Sequence, residues 1–240
     1  MRTALTVLVL SVGTVSAQAR AEVCPAPADA PAVERVDAVE RLDYLARAFD
    51  REVEDIDLWS WTWGSIYTAG TIAEGVGLSL THDAGTRTDL TVGVVATAVG
   101  AVSLYALPLK LTLPLRASRR HWRDSDRCAT LAQAERTLVQ VERDQAVANG
   151  PLAHVGNVVV NVGLVLILGL GYGRWTSAAV SGGVGVAVGE ANALTQPHHL
   201  RDVLARYRAG ELDAPEPALV WSVSPVVERT GGSAVLTFAW

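Results

Sequence analysis

The sequence predicts a mainly α-helical protein. It reads as two membrane-type helical hairpins linked by an amphipathic helix, with a small C-terminal β hairpin. Three observations lead there. Half of the 240 residues are hydrophobic and only 19% are charged, with a mean hydropathy of +0.25, a balance outside that of ordinary soluble domains. The apolar residues are gathered into long runs separated by charged stretches with helical periodicity. The 21 glycines favour close helix packing over a wide aqueous core. A net charge of -5 and a pI near 5.5 leave no overall basic surface, so nucleic acid is not an expected partner.

Residues 1–21 have the order of a secretory signal. Arg2 is followed by an apolar stretch from Leu5 to Leu10 and an Ala-x-Ala step at Ala17 and Ala19. Export follows, with cleavage after Ala19 or Ala21. Cys24 and Cys128 are the only cysteines, and outside the cytoplasm an even pair permits one disulfide. The acidic residue at Glu22 makes Cys24 a poor lipoprotein site.

The segment 22–57 opens with a Pro/Ala-rich leader that cannot hold a helix. A helix is expected from near Val33, with Val39, Leu42, Ala46, Phe49, Val53 and Ile56 on one stripe. Its other face is acidic: residues 22–57 hold eleven Asp or Glu against four Arg, about -7 in all.

A first helical hairpin is expected over 58–115. Trp59, Trp61, Trp63 and Tyr67 are the kind of rings that settle where a helix enters a bilayer. The run to Leu80 holds a single charge, Glu74, and the run from Leu90 to Leu115 holds only Lys110. The second run is long enough to cross a bilayer, with Pro108 and Pro114 bending or ending it. Residues 116–150 then read as an amphipathic linker helix, opening on Arg116, Arg119, Arg120 and Arg123 and striped by Leu131, Ala134, Leu138 and Val141. A second hairpin spans 151–197, with its turn at Tyr172 to Thr176. Aligning Pro197 with Pro108 also pairs Gly182 with Gly93, Val184 with Val95, Val188 with Val99 and Gly189 with Gly100, a faint sign of duplication. Residues 198–240 comprise a short helix stopping at Gly210, a Pro-rich linker and two strands around Gly231 and Gly232.

With the signal removed, two crossings and then four return every polar segment to the exterior. That arrangement puts the Arg116 to Arg123 cluster outside, against the tendency of short cytoplasmic loops to collect Arg. One feature favours it: the acidic arm complements the segment 116–145, which has seven Arg against five acids. A Cys24–Cys128 bridge would staple the same two segments.

Glu74 and Glu190 each interrupt an apolar run, where an ionised carboxylate is costly and needs a partner, a cavity or water. His154, Asn157 and Asn161 fall at i, i+3 and i+7 on one helix face, suited to bonds between helices. Gly182, Gly185 and Gly189 form a helix-packing face. Ser181 with His154 lacks the spacing of a nucleophile and its base. His198 and His199 have no Glu-x-x-His or His-x-x-x-His partner, since adjacent side chains on a helix diverge, so no metal or cofactor is expected.

The expected role is therefore a non-enzymatic structural or interaction protein of the cell envelope. Its expected partners are membrane lipid and either a second copy or another envelope protein. The alternatives are a small ion or proton channel or transporter using Glu74 and Glu190 with His154, Asn157 and Asn161, and a membrane-surface hydrolase.

Overall fold

A computed structural model describes residues 22–120, 122, 126–213, 220–228 and 231–239, the last two ranges as backbone. The expected signal at 1–21 lies outside the described residues, as do Arg123 and Trp240.

The fold is mainly helical. Helix α1 (Ala38–Leu80) starts five residues after the expected Val33, because Pro31–Val33 forms a short 3-10 turn instead. Asp37 then caps α1, its carboxylate accepting from the Val39 N–H at 2.8 Å and from the Glu22 N–H at 2.9 Å. The second bond folds the leader back against the helix start.

Helix α1 runs unbroken through Leu58, where the sequence changes from charged to aromatic. At 43 residues it is about 64 Å long. What changes at Leu58 is the solvent the side chains suit, and the backbone has no reason to stop. Helix α2 (Ala84–Arg120) likewise continues through Pro108 and Pro114. Each proline removes one helix hydrogen bond without ending the helix. The expected linker helix over 116–150 is thus corrected: residues 116–120 are the last turn of α2, and a separate helix α3 (Arg127–Ala148) starts at the cap Asp126.

Pro151 occupies the first turn of helix α4 (Pro151–Leu166), where its missing N–H costs nothing. A π-helical turn (Ile167–Gly171) and Gly173, at φ 69°, reverse the chain into helix α5 (Trp175–Leu194). Helix α6 (Leu200–Ala209) ends at Gly210, whose φ of 77° is the left-handed conformation that closes a helix. Strands β1 (Val220–Glu228) and β2 (Gly231–Ala239) pair antiparallel, with Val220 opposite Ala239 and Glu228 opposite Gly231.

Burial divides the helices into two zones. In the first, here called the head, the leader, the first half of α1, the end of α2, α3 and α6 share one core. Val33, Leu45, Phe49, Leu115, Leu131, Val141 and Leu200 in it are at most 1% exposed. In the second zone the apolar side chains face outward: Trp61, Ile72 and Leu80 on α1, Val95 and Val102 on α2, Leu152 and Val159 on α4, and Val180 and Leu194 on α5. Among the described residues, two helical stretches, Ala84–Arg120 and Arg127–Gly171, are long and apolar enough to cross a membrane.

The buried stripe of α1 is turned from the expected one. Leu42, Phe49 and Ile56 are buried, Ala46 and Val53 only half so, and Val39 is exposed. The face instead includes Arg41 and Glu52, at 0% and 2% exposure. Two charged side chains can lie there only because both are partnered.

Candidate functional site

Arg41 is the centre of the head. Its Nε–H donates to the Tyr207 hydroxyl at 2.8 Å and its Nη1–H to the Cys24 carbonyl at 3.0 Å, while Nη2 pairs with the Glu135 carboxylate. The same Glu135 oxygen accepts from the Tyr207 hydroxyl. One guanidinium therefore joins α1, the leader, α3 and α6. Burial pushes the Tyr207 hydroxyl well above the usual phenol range, and its donation to Glu135 adds to the rise. Burial alone would lower the Arg41 guanidinium, but the Tyr207 and Glu135 partners outweigh it and raise it. Arg41 stays charged, and Tyr207 stays a neutral donor.

The disulfide between Cys24 and Cys128 ties the leader to the start of α3, with Cα atoms 5.3 Å apart. Around it, Arg127 pairs with Glu22 at 3.0 Å. The acidic arm meets the arginine cluster as its charge suggests: Arg119 donates to Asp50 from Nε at 2.9 Å, and Arg116 pairs with Asp57. Arg119 also lies over the Trp122 ring, 4.5 Å from its centroid.

In the apolar zone, Glu74, Glu190, His154, Asn157 and Asn161 are each hydrogen-bonded inside their own hairpin. Asn157 Nδ2–H donates to Glu190 Oε1 at 2.8 Å, His154 Nδ1 lies 2.6 Å from Glu190 Oε2, and Asn161 Nδ2–H donates to Asn157 Oδ1 at 2.9 Å. Gly185 and Gly189 make the room, for a Cβ at either would collide with the Asn161 or Asn157 amide. Gly182 admits the Val165 side chain in the same way. In the first hairpin, Glu74 accepts from the Thr97 hydroxyl at 2.9 Å, beside Thr71, and Gly93 and Gly100 receive the Glu74 and Tyr67 side chains. The aligned glycine pairs, 93 with 100 and 182 with 189, thus do the same work in the two hairpins.

Glu74 and Glu190 are not brought together. Glu74 is six residues from the turn end of α1, about 9 Å along the axis, whereas Glu190 is four residues from the head end of α5, about 6 Å. The hairpins touch at their two ends. Trp59 and Trp63 donate to the Asn192 carbonyl at 3.2 Å and the Thr195 hydroxyl at 2.9 Å on the head side. Arg174 holds Asp89 through Nε at 2.7 Å on the turn side.

Ser181 is exposed and has no bond to His154, whose Nδ1 is engaged by Glu190. The rings of His198 and His199 do not diverge: they precede α6 and stack with centroids 5.9 Å apart. His198 lies against the Gln196 carbonyl and His199 against Asp55, while Glu190 is engaged by His154 and Asn157. Among the described residues, one donor set is tight enough for a metal, Glu22 with Cys24 and Cys128, and the disulfide occupies both sulfurs.

Sequence reasoning missed the Arg41–Glu135–Tyr207 network. Its signal was present: Arg41, Leu45, Ala48, Glu52, Ile56 and Trp59 step by three and four, as do Leu131, Glu135, Leu138 and Val141. A charge in register with an apolar stripe asks for a buried partner of opposite sign.

Comparison with known proteins finds no match among family models, curated proteins or solved structures.

Proposed function

We propose that this chain is an exported membrane protein that holds a disulfide-stapled helical head against one face of a bilayer, in a structural or interaction role in the cell envelope. The observation that carries the reading is the inversion of burial along single continuous helices. On α1, Phe49 is 0% exposed in the head, whereas Leu80 beyond the aromatic cluster is 74% exposed. A helix that changes solvent along its length without breaking suits a protein half in water and half in lipid.

The dimensions support it. From Trp61 to Leu80, and from Trp175 to Leu194, the helices rise about 29 Å, close to the hydrocarbon thickness of a bilayer. Exposed Trp61 and Tyr105 stand at the head end, with exposed Tyr172 and Trp175 at the turn end, as interfacial rings do. The disulfide suits an oxidising compartment on the head side. The two tight turns would then lie on the opposite side. The arginine cluster that opposed this topology has a task in the head, where Arg116 and Arg119 clamp the acidic arm.

A channel using both acids gains less support, since Glu74 and Glu190 sit at opposite depths in different hairpins and each is partnered within its own. The test is carbonate extraction of membranes from expressing cells, with intact mass of the mature chain without reductant. Retention in the membrane, a start after residue 19 or 21 and a mass two hydrogens low is the expected result. Release of the chain by carbonate would overturn the bilayer reading.

A further inference from the structure

A groove of about 740 Å³ lies on the head between the Pro25 to Ala30 leader, α3 and α6. That volume falls within the range of small-molecule sites, which combine apolar walls with a few placed polar groups. Pro25, Ala26, Pro27, Ala132 and Val139 supply the accessible apolar surface, over a floor of buried Leu138, Leu204 and Tyr207. Four of the six charged lining residues are paired: Glu135 with Arg41, Asp29 with Arg208, itself in the lining, and Asp144 with Lys110. Two charges are left over. Arg136 and Arg143 line the groove and form no ion pair with any described acid.

These two arginines are seven residues apart on α3 with Gln140 between them, so all three share one face and the guanidinium stems are about 10 Å apart along the axis. In a chain of net charge -5, two unpaired arginines beside an apolar groove mark a place for an anion. The wall opposite them does not suit a peptide strand. Pro25 and Pro27 have no N–H, and the Pro27 carbonyl already accepts from Ala30 at 2.9 Å, so an incoming strand finds no ladder to extend.

We propose that this groove binds a single-chain anionic amphiphile, its acyl chain against Pro25, Pro27, Ala132 and Val139 and its carboxylate or phosphate between Arg136 and Arg143. Arg143 stands four residues, about 6 Å, before the outward-facing Val147, so the groove's lower end is close to the level where exposed apolar residues begin. Entry of the ligand from a bilayer surface rests on the membrane reading above, whereas the binding chemistry does not.

The test uses the full mature chain in phosphatidylcholine nanodiscs and a fatty acid carrying a photoreactive diazirine, with peptide mapping of the adducts. Adducts on residues 132–143 and 203–208 are expected, displaced by excess dodecanoate or lysophosphatidate and not by dodecyltrimethylammonium. The more potent of the two anions identifies the headgroup. The R136Q/R143Q double variant should weaken groove labelling at least about tenfold, and Val139→Trp should block it by filling the apolar wall. Both changes leave the Arg41 network untouched. Adducts confined to 58–115 and 151–197 would overturn the proposal while leaving the membrane reading intact. Groove labelling that survives R136Q/R143Q, or that the cationic amphiphile displaces equally, would overturn it too.

Discussion

Replacing Arg41 by Met tests whether the head is organised around one buried charge. Arg41 is 0% exposed, and Glu135, 8% exposed, would keep its carboxylate with only the Tyr207 hydroxyl in place of a cation. Breaking a buried ion pair from one side typically costs about 3–5 kcal/mol, because the remaining charge is neither hydrated nor compensated. The Cys24 carbonyl also loses its donor. Each 1.4 kcal/mol is tenfold in an equilibrium, so opening of the head should become roughly a hundred to several thousand times more frequent. Hydrogen exchange resolved by peptide is the suitable assay, since a chain with two zones of opposite burial need not unfold in one step. Amides of α3 and α6 should lose protection while those of α4 and α5 keep theirs. Adding Glu135→Leu to Arg41→Met removes the orphaned charge and should recover much of the loss, since apolar replacement of a whole buried pair is often neutral or better. Unchanged exchange in Arg41→Met, or a double variant as labile as the single one, would refute the claim that the pair organises the head.

Alkaline pH offers an independent probe of the same network. The Tyr207 hydroxyl is raised above its ordinary value of 10.0, so above that pH the folded head keeps a proton the unfolded chain has lost. Stability is therefore full below about pH 10 and falls as pH rises beyond it; phenolate absorbance should appear together with loss of α6 protection, and Tyr207→Phe should abolish that coupling. Removing the disulfide with Cys24→Ser and Cys128→Ser should destabilise the head by less than the roughly 4.7 kcal/mol that chain entropy assigns to a free loop of this size, whose ends are 104 residues apart. The α1–α2 hairpin already holds those ends near each other, so about 2–3 kcal/mol is expected in denaturant titrations followed by exchange at residues 22–37. In the apolar zone, Gly100→Ala places a methyl 2.5 Å from the Tyr67 ring, whereas Gly75→Ala meets nothing within 4 Å. The first should cost about 1–3 kcal/mol in an unfolding assay in mixed micelles and the second almost nothing; equal effects would mean the α1–α2 contact is not as close as described.

What the sequence made legible was the distribution of solvents and the places where the chain turns. Apolar runs, the breaks at 81–83, 149–151 and 172–174, and the stop at Gly210 all rest on local chemistry, in which a Gly, Pro or Asx residue acts within a few positions of itself. The meeting of the acidic arm with Arg116 and Arg119 was legible as a difference in net charge, though without its pairs. Helix continuity was not. A change from charged to aromatic residues at Leu58 looks like a boundary in composition, but no residue there interrupts a helix, and α2 continues through both Pro108 and Pro114.

The buried network was out of reach for a different reason. Arg41 and Tyr207 are 166 residues apart and Arg41 and Glu135 are 94 apart, so no local pattern pairs them, and an arginine among eleven acids reads first as part of a solvated face. Partnering also separates the candidate sites. Glu190 and Glu74 drew attention because a charge in an apolar run is costly, and both are hydrogen-bonded within their hairpins, Gly189 making room for the Asn157 partner of Glu190 and Gly93 for Glu74 itself. A charge with its partners in place is explained by packing. Arg136 and Arg143 present the opposite case: inconspicuous in sequence, on a helix whose other groove-lining charges are matched, and unmatched themselves. What sets these two exposed arginines apart from other unpaired ones on the head, such as Arg35 and Arg47, is that both line the same groove.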